Sequence, residues 1–84
     1  MKIYLISQQE ISGYDTFDSA VVFAESEQEA RNINPNNGQN MEEEDWGYEN
    51  SGWYSSPEFV HVEYLGEALK DAKKCVVCSS FNAG

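Results

Sequence analysis

The sequence predicts an α+β domain with a small antiparallel sheet of about four strands and one short helix, in the order β-β-α-β-β. Three observations predict this class. Four short segments are rich in β-branched and aromatic residues, as strands are. A helix-capping sequence lies between the second and third of these segments. The 84 residues suffice for a single domain, 1–84, with one small hydrophobic core.

The first two strands are predicted from short apolar runs. Lys2 to Ser7 (KIYLIS) is short, β-branched and aromatic, and the polar run that follows ends in Gly13 and predicts a turn. Ser19 to Ala24 (SAVVFA) is apolar at consecutive positions. That pattern indicates a strand buried on both faces, since a strand with one exposed face alternates instead.

The helix is predicted from a capping box, Ser26 to Glu29. The Ser26 hydroxyl can accept the backbone N–H three residues on, while the Glu29 side chain reaches back to the Ser26 N–H. A helix from Glu27 to about Ile33 should follow, with Ala30 and Ile33 on its inner face. Pro35 disfavours helical backbone at the residue before it and ends the helix.

Residues 34–56 are predicted to form a long loop. The loop holds the acidic run Glu42 to Asp45 and four aromatic residues: Trp46, Tyr48, Trp53 and Tyr54. A loop of this length in so small a domain is typically functional or mobile.

Two further strands are predicted after the loop. Pro57 to Leu65 (PEFVHVEYL) alternates between one face with Val60, Val62 and Tyr64 and another with Phe59, His61, Glu63 and Leu65. Gly66 to Lys74 is a connection with one helical turn at Glu67 to Ala72. Cys75 to Phe81 (CVVCSSF) is the last strand.

The predicted sheet has more apolar surface than the predicted helix can cover. Strands one, two and four carry apolar residues on both faces, whereas the helix is about two turns long. Either the aromatic loop folds over the second face or another subunit covers it. The pattern therefore favours a homo-oligomer, most simply a homodimer.

Charge is the strongest compositional signal. Fifteen acidic residues against five basic ones give a net charge of −10, and Arg31 is the sole base between Ile3 and Leu69. This field disfavours direct binding to nucleic acid or to an anionic membrane, both of which require clustered Lys and Arg. It favours a basic protein surface as partner. The alternative is that the acids serve only solubility.

The compartment is predicted from the opening residues and from the apolar runs. MKIYLIS reaches polar residues without the apolar core of a signal peptide, and the longest apolar run, Ala20 to Ala24, is far too short to span a membrane. We expect a cytoplasmic protein in which Cys75 and Cys78 stay reduced.

Residues that could carry chemistry are few. Cys75 and Cys78 form one CxxC pair, but structural zinc needs four ligands, and side chains three apart in a strand should point to opposite faces. A zinc ion shared between subunits stays open. His61 has no assignable nucleophile beside it, and Asp15 and Asp18 are explained by a turn as well as by a carboxylate pair. We expect no enzyme, no cofactor and no metal, because no catalytic or nucleotide-binding motif occurs.

The acidic aromatic loop is the predicted partner site. Tyr and Trp are enriched at the energetic centres of protein interfaces, and acids around them select basic partners. The candidate residues are Glu42, Glu43, Glu44, Asp45, Trp46, Tyr48 and Trp53. The alternative is that the aromatic residues pack as an extension of the core while the acids are solvated.

Two parts of the chain resemble a group of small phage and prophage proteins without an assigned activity. The first is GYDTFDSAVV, residues 13–22, followed by Glu29-Ala30-Arg31 and Pro35; the second comprises VEYLGEA, residues 62–68, and SFNAG, residues 80–84. The resemblance leaves residues 36–56 largely unmatched and transfers no catalytic residue. It implies a phage context, in which small acidic proteins often bind and block host factors, including defence systems.

Two functions follow as hypotheses. The first is a non-enzymatic, phage-type inhibitor of a host defence or nucleic-acid-binding protein, which acts through the acidic aromatic loop. The second is an oligomeric small-molecule binder that sequesters a host signalling nucleotide. Its ligand contacts would be Tyr14, Asp15, Phe17, Asp18 and Arg31.

Overall fold

The computed structural model describes residues 1–8, 16–41, 46, 53 and 57–82, with Phe81 and Asn82 described by their backbone. The elements, in chain order, are β1 (Lys2–Ser7), β2 (Thr16–Ala24), α1 (Glu27–Arg31), a 3-10 turn (Pro57–Phe59), β3 (His61–Glu67) and β4 (Cys75–Asn82). The strands form one antiparallel sheet in the order β3-β1-β2-β4. The predicted four-stranded antiparallel sheet with one short helix is therefore confirmed.

Several predicted boundaries are wrong by a few residues. β2 begins at Thr16, three residues before Ser19, because Thr16 and Phe17 pair with the end of β4. The segment from Pro57 to Phe59 forms a 3-10 turn instead of strand, and β3 continues to Glu67. The helical turn predicted at Glu67 to Ala72 is replaced by a tight turn, in which the Ala72 N–H donates to the Leu69 carbonyl at 2.9 Å.

The helix ends at Arg31, two residues before the predicted end. The Asn32 carbonyl accepts the Met41 N–H at 2.6 Å, and Ile33 forms an isolated antiparallel bridge with Asn40. These bonds divert the backbone from the helix before Pro35 is reached. The turn between Asn34 and Gln39, whose backbones are hydrogen-bonded at 2.8 Å, contains Gly38 at φ 78°. Glycine adopts this conformation without a steric penalty.

The N-terminus of α1 is capped as predicted. The Ser26 hydroxyl accepts the Glu29 N–H at 3.2 Å, while the Glu29 carboxylate reaches back to the Glu25 N–H at 3.1 Å. The second bond ends one residue earlier than a standard capping box, which would use the N–H of Ser26 itself.

Replacing Ser26 with Ala should lower the free energy of unfolding by about 1 kcal/mol, because the Glu29 N–H loses its acceptor. Ser26→Asp is the control, since its carboxylate can accept the same N–H and should retain most of the stability. Urea denaturation followed by circular dichroism measures both variants. Equal losses in the two variants would show that the cap hydrogen bond is not the cause.

One face of the sheet carries the core. Side chains alternate along a strand, and Tyr4 and Ile6 of β1 are buried on the same face as Ala20 and Val22 of β2, their cross-strand partners. The helix lies against this face and contacts β1, β2 and β3. The remaining members of the core cluster are Phe17, Ala24, Ala30, Ile33, Met41, Trp53 and Val60. We call this side of the sheet the helix side.

A bulge in β2 decides where Phe17 lies. Phe17 pairs with Phe81 and Ser19 pairs with Ser80, so Asp18 is the extra residue of a β-bulge. Without this bulge, Phe17 would share a face with Val21, four residues on, because strand side chains alternate. The bulge reverses the alternation and places Phe17 in the helix-side core, 6% exposed.

A bulge in β4 overturns the prediction that Cys75 and Cys78 point to opposite faces. Cys75 pairs with Phe23 and Cys78 pairs with Val21, which leaves Val77 as the extra residue. Phe23 and Val21 are two residues apart and so share a face. Both cysteines therefore lie on the face opposite the helix, where Cys75 is half-buried and Cys78 is exposed.

Among the described residues, no helix is long and apolar enough to cross a membrane.

Candidate functional site

Arg31 organises the acidic end of the helix side. Its guanidinium donates to the carbonyls of Pro57 and Val60, at 3.3 and 2.5 Å, and to the Glu27 carboxylate at 3.1 Å. These bonds tie the helix to the 3-10 turn that carries Glu58. Exposed acids lie in both segments that Arg31 joins or directly beside them: Glu25 and Glu27 at the start of the helix, and Glu58 in the 3-10 turn. We call these three residues the helix-side acids.

The predicted partner loop is attached to the same side of the sheet. Met41, which precedes the acidic run, is buried in the core cluster, and its N–H is bonded to Asn32 just beyond the helix. Trp46, which follows the run, is half-buried and packs against the same cluster. The two described residues that flank positions 42–45 in the chain are thus both held on the helix side.

The residues predicted to contact a partner are distributed unevenly. Trp53 is fully buried, so in this fold its indole extends the core instead of facing a partner. Trp46 is half-buried and keeps part of its surface accessible. The remaining members of the predicted set lie outside the described residues: Glu42, Glu43, Glu44, Asp45 and Tyr48. Trp53 therefore agrees with the alternative that the aromatic residues extend the core. A buried Trp removes a large apolar area from water, which a small core needs.

The residues predicted to contact a small molecule are not brought together. Phe17 is in the core, and Asp18 is half-buried in the β2 bulge, with the Ser80 hydroxyl 3.5 Å from its carboxylate. Two nitrogens of the Arg31 guanidinium already donate hydrogen bonds, to the Val60 carbonyl and to the Glu27 carboxylate. Tyr14 and Asp15 lie outside the described residues.

An open cleft of about 460 Å³ lies between the turn 35–39 and the first half of β4. Its described lining is mostly polar backbone and amide side chains, and includes none of Phe17, Asp18 and Arg31. Lys74 lines it as well, and its ammonium donates to the Asn40 side-chain oxygen at 2.9 Å. The cleft therefore does not correspond to the predicted nucleotide contacts.

No group of three or more His, Cys, Asp or Glu is placed to hold a metal ion among the described residues. The pKa of Tyr64 is raised, mainly because its hydroxyl donates a hydrogen bond to the Glu67 carboxylate. Tyr64 is exposed on the edge strand β3, so this bond belongs to the surface and not to an enclosed site.

The sequence alone did not identify the helix-side acids as a group, although two of them lie where acids are common, at the start of a helix. Glu25 and Glu27 flank the capping Ser26, where acids favour the helix N-terminus through its dipole. Glu58 lies more than twenty residues away in the chain, and the Arg31 contacts join its segment to the helix. Sequence spacing alone could not show that grouping.

Comparisons with models of protein families, with curated proteins and with solved structures gave no match.

Proposed function

We propose that the protein is a non-enzymatic interaction protein that binds a basic surface of a partner protein through the acidic part of its helix side. In keeping with the phage-like sequence features, the proposed partner is a host defence or nucleic-acid-binding protein, which the acidic surface would block. The proposal rests on one observation: Arg31 ties the helix, which begins with the exposed Glu27, to the 3-10 turn, which carries the exposed Glu58.

The charge on this side favours a basic partner. Arg31 forms one described ion pair, with Glu27, which offsets a single acid, and the Lys2 ammonium lies 3.4 Å from the Glu25 carbonyl. The acids of this side still outnumber these two bases once the run 42–45 is included. The other described bonds of Arg31 go to neutral carbonyls. Met41 and Trp46, which flank the four acids of 42–45 in the chain, pack on the same side, and we propose that these acids add to the same field. A concentrated field of one sign steers a partner of opposite sign and speeds encounter at low salt.

Trp46 is the proposed anchor at the centre of this surface. It combines a fixed position against the core with an accessible portion, which is how aromatic hot spots work in interfaces. Tyr48 follows two residues later and is the second proposed anchor. Trp53 supports the surface from below as part of the core.

The small-molecule hypothesis has less support. A phosphate ligand would compete with the carbonyls and the carboxylate that Arg31 already contacts. Moving Arg31 would also detach the helix from the 3-10 turn. We therefore propose a protein partner and not a small-molecule ligand.

The test is capture of partners from a lysate of the host bacterium, with matched charge variants as bait. One variant neutralises the acidic run (E42Q, E43Q, E44Q and D45N); the matched control neutralises four acids elsewhere (D18N, E63Q, E67Q and D71N). We expect the first variant to weaken binding of a captured protein at least about tenfold, or about 1.4 kcal/mol, and the control to weaken it far less. Binding should also fall as salt rises.

Two results would contradict the proposal. Equal loss with both variants would indicate attraction to net charge without a defined surface. Retention of the partner by the first variant at unchanged affinity would show that the acidic run takes no part. A third variant, in which E25Q, E27Q and E58Q are combined, reports separately on the helix-side acids.

A further inference from the structure

The β4 bulge makes Cys75 and Cys78 neighbours on one face of the sheet. Cys75 pairs with Phe23 and Cys78 with Val21, and these two partners are successive residues on the same face of β2. The two cysteines are therefore spaced like residues i and i+2 of a regular strand, about 6.6 Å apart. Both thiols are free, Cys78 exposed and Cys75 half-buried. The CxxC motif thus forms an accessible dithiol, which a regular strand would divide between its two faces.

The spacing of the two cysteines decides what the dithiol can do. A disulfide needs Cβ atoms about 3.5–4.5 Å apart, which is closer than neighbouring side chains on one face of a strand. A metal ion between two sulfurs, with bonds of about 2.3 Å, needs sulfurs only about 4.6 Å apart. Each sulfur reaches that distance if it leans about 1 Å toward the other. The pair is therefore better suited to bridging by a metal ion than to oxidation.

The described surroundings supply no further metal ligand. No group of three or more His, Cys, Asp or Glu side chains is placed to hold a metal among the residues that the structure describes. Glu63, on β3, lies three strand spacings from Cys78, or about 14 Å. The Asp18 carboxylate lies beside the Ser80 hydroxyl, at 3.5 Å, one row further along the sheet. The described site therefore consists of two sulfur ligands.

Two sulfur ligands select a soft metal ion. Thiolates favour univalent copper, Cu(I), over the hard ions, whereas calcium and magnesium take six or more oxygen ligands and structural zinc takes four ligands. Two thiolates around a univalent ion leave one net negative charge. Lys73 and Lys74 directly precede Cys75 in the chain and supply positive charge at this end of β4.

We propose that Cys75 and Cys78 form a binding site for one Cu(I) ion on the face of the sheet opposite the helix. Binding replaces two S–H bonds with two sulfur–copper bonds and releases two protons, while copper keeps its oxidation state. Affinity should therefore rise with pH. The site departs from the expectation of no metal, which relied on thiols that point to opposite faces. It does not rest on the proposed function, because the helix-side acids lie on the other side of the sheet.

Competition for Cu(I) between the reduced full chain and the coloured chelator bicinchoninate, without oxygen, tests the site. We expect one ion per chain. Cys75→Ser and Cys78→Ser should each weaken binding at least about a hundredfold, because the remaining thiolate loses its linked second ligand. The matched control, C78S with S79C, keeps two thiols but moves one to the helix side, since Ser79 pairs with the buried Ala20. It should lose as much affinity as the single variants, with folding verified by circular dichroism.

Three results would overturn the proposal. The chain may take no Cu(I) from the chelator, it may bind one ion per two chains, or the C78S and S79C double variant may bind as tightly as the unaltered chain. The last result would show that a shared face is not required. X-ray absorption of the copper complex should show two sulfur neighbours. Cys78→Ser should leave capture of a basic partner unchanged, so failure of this inference and failure of the proposed function are distinguishable.

Discussion

Replacing Trp53 with Ala should lower the free energy of unfolding by about 3–5 kcal/mol, as truncation of large buried aromatic side chains does. Trp53 is fully buried and is the largest such side chain in the described core. Its removal leaves a cavity in the core cluster, and the surrounding side chains can fill that cavity only in part. Because domains of this size have a total stability of about 5–15 kcal/mol, the variant should be close to unfolding at 37 °C.

Urea denaturation followed by far-ultraviolet circular dichroism measures this loss without relying on the deleted fluorophore. Leu69→Ala is the control, because Leu69 is 84% exposed and its truncation should change stability by less than about 0.5 kcal/mol. A loss below about 1 kcal/mol for Trp53→Ala would show that the indole does not pack in the core.

Ile6→Ala should cost about 2–5 kcal/mol, and Leu5→Ala, one residue away, markedly less. Ile6 is fully buried on the helix side, between Ala20 of β2 and Val62 of β3. Leu5 is half-buried on the face opposite the helix and pairs with Val21 and Glu63. The two substitutions remove chains of equal carbon number from the same strand, so their difference measures the asymmetry between the two faces.

The comparison is made at a low protein concentration, about 1 µM, because self-association would add to the apparent stability. Thermal or urea unfolding measured by circular dichroism is suitable at this concentration. Equal losses at the two positions would mean that Leu5 is buried as deeply as Ile6.

The strands and the helix start could be predicted because their signals are local. β1 was predicted to the residue, and the Ser26 cap follows from a four-residue pattern. The face assignments of Phe17 and Cys78 could not be predicted in this way. Each depends on a bulge that exists only because two strands distant in sequence pair with different residue counts.

The candidate site was predictable only in part for the same reason. An acidic aromatic run is visible in the sequence, but which of its aromatic residues are buried depends on the tertiary packing. Trp53 is fully buried in the core cluster, whereas Trp46 packs against that cluster and keeps part of its surface accessible. Likewise, Arg31 resembles an anion-binding residue when read alone, and its carbonyl acceptors at Pro57 and Val60 come from a distant segment.

The strand order β3-β1-β2-β4 also constrains how the chain folds. Only the central pair, β1 with β2, joins neighbouring strands in the chain, whereas β3 and β4 add to the outer edges after long connections. Non-local pairings of this kind slow folding, because the chain loses the entropy of loop closure before the stabilising contacts form. During synthesis the β1–β2 hairpin would carry two bare edges until β3 and β4 emerge. An acidic chain repels its own copies in that interval, so the high negative charge also protects the nascent sheet from aggregation.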